Sequence, residues 1–343
     1  LMYVQTYQGL KQADKMYDAA LKLLEMNPKN FQGIYFMVSL TASMQKTDPE
    51  FLARGEQYSK QLLEQVEQLP KPANLSDGDW KKQTDALRVL GRQTLGWIAM
   101  TKKDNAAAES EFRKVLQINP NNGQVSYYLG TVIIAQRDPA KQSEAFYHFA
   151  RASAYDGEGK MPEPGRQQVD SYLRKIYSSF HGDESGLDEI YAMAKTQPFP
   201  PPDFKVKSKE QIEIEKAEEL KRTNPKLALW LSIKEQLLAS NGQQYFESSV
   251  RNTAMPGLRG YLIAQSPQER PDTLVLGLSD RSTREVTLKL DTAFRYPAPG
   301  GTTINFQCVP RTFTAQPFNL SFDCEQENIT GWPPPPSRRP AAR

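Results

Sequence analysis

The chain has 343 residues, long enough for two or three domains, and its hydrophobic fraction of 38% is too high for a chain that is disordered throughout. Its 43 basic and 40 acidic residues leave a net charge of +3, which gives no electrostatic reason to expect nucleic acid or an anionic membrane as a partner. No apolar run approaches the roughly 18–20 residues of a membrane span, so we expect no span in this chain. Because it begins at Leu1, within helical sequence, we also expect a fragment or a processed form.

Degenerate helical hairpins are predicted in the N-terminal third. Residues 11–26 have the pattern of an amphipathic helix, and residues 31–44 and 49–68 follow as the next pair of helices. After a long connection, Ser76 supplies a capping oxygen for a helix that contains residues 80–101. The sequence therefore predicts a series of antiparallel helix pairs from its start.

Residues 89–122 carry the clearest copy of a pattern that returns after about 34 residues. Leu95-Gly96 lies in its first helix, and Ala108, Phe112 and Val115 mark its second. Small residues at such positions let two antiparallel helices approach closely, while the large residue fills the gap beside them. The next copy, residues 123–155, repeats the spacing at Leu129-Gly130, Ala145, Phe149 and Ala152.

This pattern resembles the tetratricopeptide repeat, whose hairpins cannot bury their apolar faces alone and must stack into a solenoid. The resemblance implies a concave surface that binds other proteins and carries no chemistry. In such solenoids the first helix of each pair lines the inner groove. The partner-binding residues implied here are Tyr35, Ser39, Gln93, Trp97, Met100, Gln124, Tyr127, Tyr128 and Thr131.

These groove positions hold aromatic and neutral polar residues. One subclass of the family clamps a terminal carboxylate with Lys, Asn and Arg, and that clamp is not expected here. An aromatic groove with neutral donors suits an extended or helical peptide. The alternative is that the aromatic residues pack between adjacent hairpins. It stays open for Tyr127 and Tyr128, because neighbours on a helix cannot both face one way.

The pattern continues and then changes beyond the second copy. Residues 165–180 and 185–194 predict another helix pair, so the α-solenoid should cover residues 1–196. A proline-rich stretch predicts a stiff linker over 197–207, because such stretches adopt extended polyproline geometry. A helical connector is expected over 208–256.

Strand-like alternation begins at Gly257 and predicts a small all-β domain over residues 257–332. Five or six short strands over about 75 residues indicate a barrel or a sandwich. Their order resembles the oligonucleotide/oligosaccharide-binding fold at the level of pattern only. The tail, residues 333–343, is expected to be disordered. The predicted fold class is therefore multidomain, an all-α tetratricopeptide-like solenoid followed by a small β barrel or sandwich.

The two cysteines, Cys308 and Cys324, lie in this β domain and are too few for a cysteine-based zinc site. Strand alternation places Cys308 on one face with Phe306, and Cys324 on one face with Phe322. A turn near Gln316 would bring the two cysteines opposite each other, at a β-carbon separation slightly longer than relaxed disulfide geometry. A disulfide and two buried free thiols are therefore equally expected, and the redox state of the compartment decides between them.

Catalytic residues and cofactors are not expected. His148 lies within a second helix and His181 closes a helix, and both positions favour structural roles. Phosphate-binding loops, nucleophile elbows and zinc-protease motifs do not occur in the sequence, and two distant histidines do not form a metal site. An enzyme is not expected, although a deep pocket converging on His181 would revive that hypothesis.

The chain as a whole resembles bacterial tetratricopeptide-repeat proteins that carry a C-terminal β domain. That resemblance implies a non-catalytic scaffold that binds a protein or peptide, without nucleic acid, and an extracytoplasmic location. The alternative is that the β domain binds an oligosaccharide or nucleic acid while the solenoid serves as its platform. Exposed aromatic residues beside a basic patch on one face of the domain would favour this alternative.

Overall fold

The computed structural model of the chain describes residue 2 and residues 12–334. Its contacts form two compact units, Leu1–Lys209 and Glu210–Arg343, named here the helical unit and the sheet unit. The predicted order of a helical domain followed by a β domain is confirmed. Most of the tail predicted to be disordered lies outside the described residues, as does the start of the helix predicted from residue 11.

The helical unit is built from antiparallel pairs. Successive contacts join α2 with α3, α4 with α5, and α6 with α7, the order expected of stacked hairpins. A short 3-10 turn, Pro139–Lys141, precedes α7. The described helices are α1 (Ala13–Met26), α2 (Phe31–Met44), α3 (Pro49–Gln68), α4 (Asp77–Thr101), α5 (Asn105–Ile118), α6 (Gly123–Ala135), α7 (Gln142–Ala154), α8 (Glu163–His181) and α9 (Leu187–Thr196).

Short polar side chains set where these helices begin. In each case a side-chain oxygen accepts a hydrogen bond from the backbone N–H three residues further on, which satisfies one of the donors that a helix start leaves unpaired. The predicted cap at Ser76 accepts from Asp79 N at 3.0 Å. The same arrangement starts four other helices of the unit, at Asn30, Asp48, Asp104 and Asn122.

Close packing within the pairs follows the predicted small and large positions. Ala108 and Ala152 are completely buried, and Phe112 and Phe149 fill the space beside the partner helices. A β-carbon added at Gly96 would lie 2.6 Å from the Phe112 ring. The distance between the two helices at this point therefore requires glycine.

The last pair departs from this arrangement. Its second helix, α9, packs chiefly against α7 of the preceding pair and reaches α8 through side chains. Tyr191 of α9, for example, donates a hydrogen bond to Asp170 of α8 at 2.5 Å. Burial of the Tyr191 hydroxyl and this carboxylate neighbour raise its pKa.

The segment 197–207, predicted to be a stiff linker, packs against α7 instead of standing free. Phe204 contacts the Tyr147 ring edge-on at 5.3 Å, and Val206 N donates to the Ser143 hydroxyl at 2.9 Å. The prolines made this segment look like a spacer. The apolar side chains of the segment pack against the helices of the array, because exposed aliphatic and aromatic surface is unfavourable in water.

The sheet unit contains the remaining helices and all seven strands of the described chain. Trp230 and Leu237 of α11 share one core with the strands, so the predicted connector is part of this unit. The helices are α10 (Lys209–Thr223), α11 (Pro225–Leu238) and α12 (Gly242–Tyr245), which continues into a π-helical turn at Phe246–Val250. The strands are β1 (Leu258–Ser266), β2 (Thr273–Gly277), β3 (Val286–Leu290), β4 (Thr303–Phe306), β5 (Val309–Ala315), β6 (Phe318–Cys324) and β7 (Ile329–Thr330).

The strands form one mixed sheet in the order β5-β6-β3-β2-β1-β4-β7, and β3 pairs with β6 in parallel. Only Gln307 and Cys308 separate β4 from β5, so the sheet curls until these strands approach, and the Phe306 and Phe322 rings lie 5.5 Å apart. No ladder joins the two edge strands. Of the barrel or sandwich that the sequence predicted, the closed barrel is therefore not formed, while the predicted β domain after the helical domain is present.

The curled sheet also explains the cysteine geometry. Phe306 and Cys308, which strand alternation placed on one face of a strand, are not in the same strand: Phe306 ends β4, and Cys308 immediately precedes β5. Antiparallel pairing of β5 with β6 brings Val309 opposite Asp323, next to the position where Cys308 meets Cys324. The two cysteines form a disulfide in the structure.

An ion pair with a buried carboxylate anchors α11 to the sheet. The Glu285 carboxylate, fully buried, accepts hydrogen bonds from Lys234 Nζ at 2.5 Å, from the Ser279 hydroxyl at 2.6 Å, and from the backbone N–H groups of Leu278 and Ser279. Burial alone would raise the pKa of this carboxyl, but these donors outweigh it, and the pKa lies below its ordinary value. Glu285 therefore stays ionised and fixes the chain before β3.

We predict that Gly96→Ala lowers the melting temperature of the protein. The added methyl must displace the Phe112 ring, and overpacking of this kind costs about 1–3 kcal/mol. Gly78→Ala in the same helix is the matched control. Its methyl meets only the Ser76 hydroxyl, at 3.9 Å, and the loss of backbone freedom in the unfolded chain should stabilise the protein by about 0.4–1 kcal/mol. Equal melting temperatures for the two variants would contradict the packing assigned to Gly96.

Replacing Glu285 should destabilise the sheet unit in a pH-dependent way. Glu285→Gln removes the charge partner of Lys234, whose side chain is 23% exposed, and weakens the hydrogen bonds to the Glu285 carboxylate, which costs about 1.5–3 kcal/mol at pH 7. Because the folded pKa lies below the ordinary 4.5, the stabilisation is complete above that pH and is lost as the pH falls through the folded value. Hydrogen exchange of the β2 and β3 amides measures it, and the difference between wild type and variant should shrink on acidification. Glu269→Gln, at an exposed carboxylate, should leave exchange unchanged.

Candidate functional site

The first helices of successive pairs lie side by side in the helical unit. Contacts join α2 to α4 and α4 to α6, and α8 begins the last pair. The side of the array that these four helices form is named here the first-helix face. All nine residues predicted to bind a partner belong to α2, α4 or α6, but the structure gives them different surroundings.

Trp97 is a core residue. Only 8% of it is exposed, and it packs in one cluster with Leu52 of α3 and with Ile98. The sequence indicated the correct helix but not what covers this position. Leu52 comes from the preceding hairpin, and its contact was not apparent from the spacing of the repeat. The structure therefore replaces the predicted binding role of Trp97 with a packing role.

Tyr127 and Tyr128 both pack against neighbouring helices while remaining half-buried. The Tyr128 ring stacks on Phe112 of α5 at 5.4 Å, and the Tyr127 ring lies 6.2 Å from Phe149 of α7. These contacts favour the packing interpretation that the sequence left open. Each tyrosine still has part of its surface available to a partner.

Tyr35 is the most accessible of the predicted residues, with 39% of its surface exposed. Gln93 accepts a hydrogen bond from Asn122 Nδ2 at 3.2 Å, and the Thr131 hydroxyl donates to the Tyr127 carbonyl at 2.9 Å. Ser39, Met100 and Gln124 are half-buried, like Gln93 and Thr131.

Tyr172 of α8 was not predicted. Its ring contacts Phe149 edge-on at 5.3 Å, yet 43% of the residue is exposed. The repeat spacing that singled out the other positions weakens before α8, so the sequence gave no direct signal here. Extending the aromatic positions of the earlier first helices to α8 would have pointed to Tyr172.

The second helices carry charged side chains that join one hairpin to the next. Arg113 of α5 donates to both Glu144 oxygens of α7, at 2.6 and 2.8 Å. Burial would raise the pKa of Glu144, but His148 and Arg113 together lower it to about 2. His148 is fully buried with its pKa lowered chiefly by that burial, so it is a structural residue rather than an accessible base.

A cleft of about 600 Å³ opens beside His181, the residue at which a deep pocket would favour an enzyme. His181 Nδ1 lies 2.8 Å from the Lys207 carbonyl, and Nε2 lies 3.3 Å from the Ser185 hydroxyl. Asp183 accepts a hydrogen bond from the Ser185 hydroxyl. In a hydrolase triad the carboxylate instead accepts a hydrogen bond from the histidine and orients it. The cluster therefore caps the end of α8 and holds the segment 197–207.

Neither a metal-binding cluster nor a membrane-spanning helix occurs in residue 2 and residues 12–334. These residues include no group of three or more His, Cys, Asp or Glu side chains placed to hold a metal ion. Among their helices, none combines the length and the apolar character needed to cross a membrane.

Comparison with protein families matches residues 92–122 to the tetratricopeptide repeat. This stretch runs from within α4, through α5, to the cap at Asn122. The repeat predicted at 89–122 is thereby confirmed, and it supports a general protein-interaction role for the helical unit. Comparison with curated proteins found no match.

Trp97→Ala should lower stability rather than act as a binding mutation. Truncating a buried tryptophan leaves a cavity beside Leu52 and Ile98 and costs about 3–5 kcal/mol. Tyr35→Ala, which removes an exposed ring from another first helix, is the control and should change the free energy of unfolding by about 0.5 kcal/mol or less. Denaturant unfolding measures both. If the Trp97 variant is as stable as the Tyr35 variant, the packing role of Trp97 is contradicted and the predicted binding role is favoured.

Proposed function

We propose that the protein is a non-catalytic scaffold whose first-helix face binds an uncharged segment of a protein partner. The observation that carries the proposal is the near absence of charge in α2, α6 and the second half of α4. Helices α2 and α6 contain no Asp, Glu, Lys, Arg or His residue, and Arg92 is the one charged residue of α4 from Gly91 to Thr101.

Charged residues lie instead in the second helices, in the first half of α4 and in α8. Arg92 itself points to Glu111 of α5, with 3.1 Å between Arg92 NH1 and a Glu111 oxygen. In α5 and α7, Glu109, Arg113 and Glu144 pair across successive hairpins. A surface that binds acidic or basic segments keeps charges free for them, whereas these helices use their charges for the array itself.

The first-helix face instead offers aromatic rings and neutral polar groups. Tyr35 and Tyr172 expose large ring surfaces, and such residues supply contact area at a low cost in side-chain entropy. Gln124 and Thr131 add neutral amide and hydroxyl groups between them. We infer a partner segment with apolar side chains for the rings and backbone groups for the amides, bound as a helix or an extended strand.

Photo-crosslinking tests this assignment. A photoreactive amino acid placed at position 35 or 172 should crosslink the partner in cells, and the same amino acid at Met26 should not. Met26 is the matched control because it is also apolar and highly exposed but lies at the end of α1. Equal crosslinking from all three positions, or from Met26 alone, would reject the first-helix face.

Binding of the crosslinked segment should then respond to ring removal and not to salt. Tyr35→Ala or Tyr172→Ala should weaken it by about 2 kcal/mol if the ring is a hot spot, with Met26→Ala unchanged. Because Arg92 is the one charged residue of α2, α6 and the second half of α4, and pairs with Glu111, affinity should vary less than about threefold between 50 and 500 mM salt, whereas exposed ion pairs are screened over this range. A steep loss of affinity with salt would show that charged groups elsewhere bind the partner.

A further inference from the structure

A second surface, independent of the first-helix face, lies on the outward side of the curled sheet. Along β1, Leu258, Gly260 and Leu262 are buried and alternate with Arg259 and Tyr261, which therefore face away from the core. Pairing with β4 places Asn305 opposite Arg259 and Thr303 opposite Tyr261. The Arg281 guanidinium lies over the Tyr261 ring, 4.9 Å from its centre. These five residues, Arg259, Tyr261, Arg281, Thr303 and Asn305, are named here the Arg259 patch.

Two exposed arginines give the Arg259 patch a positive charge. Arg259 and Arg281 are both exposed, and neither forms an ion pair with any carboxylate in the part of the chain that the structure describes. Elsewhere on the sheet, by contrast, Arg311 pairs with Asp323 at 2.8 Å. Arginine presents a planar fork that binds a carboxylate through two parallel hydrogen bonds. Charge complementarity thus indicates a ligand that carries a carboxylate.

The polar residues beside the two arginines indicate which kind of carboxylate ligand fits the patch. Thr303 and Asn305 add a hydroxyl and an amide one strand away, about 5 Å in the direction across the sheet. A sugar ring with a carboxylate places several hydroxyl groups within that distance of the charge. A glutamate side chain of a peptide carries no such groups.

Two other ligand classes fit the patch less well. β1 is an interior strand, paired with β2 on one side and β4 on the other, so its backbone is not free to pair with a peptide strand. Single-stranded nucleic acid needs open aromatic faces on which bases stack, and Arg281 covers the face of Tyr261. We propose that the Arg259 patch binds an acidic polysaccharide through the carboxylates of uronic acid residues, a role beyond the protein binding of the first-helix face.

Direct binding of the full chain to oligogalacturonate, measured by calorimetry, tests the proposal. We expect binding that weakens as salt is raised, and that weakens by about tenfold or more in an Arg259→Ala, Arg281→Ala double variant. Arg270→Ala, at an exposed arginine beyond the opposite end of β1, is the matched control and should bind as the wild type does. Arg259→Lys should retain part of the affinity, since it keeps the charge but not the fork.

Three comparison ligands make the result decisive. Neutral dextran of the same length should not bind, and poly-L-glutamate and single-stranded DNA should bind at least about tenfold more weakly than oligogalacturonate. Poly-L-glutamate or DNA binding as tightly as the sugar would overturn the proposal in favour of a general anion surface. So would an undiminished affinity of the double variant, or the lack of any binding to oligogalacturonate. The melting temperature of the double variant should stay unchanged, because both arginines are exposed.

Discussion

The close approach of paired helices at glycine is the constraint on which the helical unit depends. At Gly96 the partner helix places the Phe112 ring where a β-carbon would lie, and at Gly130 the Phe149 ring comes within 3.1 Å of that position. The two contacts repeat the same geometry in successive hairpins, so they fix the spacing within each pair. The surfaces that the first helices expose follow from that spacing.

Buried charges stabilise the irregular parts of both units. Arg151, 2% exposed, donates to the carbonyls of Ala194 in the last turn of α9, of Gln197 just after α9, and of Pro120 after α5. It thereby joins loops that lie far apart in the sequence. In the sheet unit Glu285 has the corresponding role with the opposite charge, because it accepts from backbone N–H groups that the turn before β3 leaves unpaired. In both cases hydrogen-bonding groups of the protein replace the water that would otherwise solvate the charge.

The two units expose chemically different surfaces. Over α2, α6 and the second half of α4, the first-helix face combines rings with neutral polar groups, because Arg92 is the one charged residue in these segments. The outward side of the sheet combines hydroxyl and amide groups with arginine, because its aliphatic residues are used for the core that it shares with α11. Binding at the first surface should depend on shape and apolar contact, and binding at the second on charge and hydrogen bonds.

The sequence alone determined the features that depend on local spacing: the helix pairs, their small and large contact positions, the cap at Ser76 and the change to strands after Gly257. These follow from which residues share a face of one element. Tertiary structure decided what covers each face. Leu52 buries Trp97, α7 receives the segment 197–207, and β6 inserts beside β3 instead of completing a meander. Such contacts join residues distant in the chain, and the periodicity of a single segment contains no information about its distant partner.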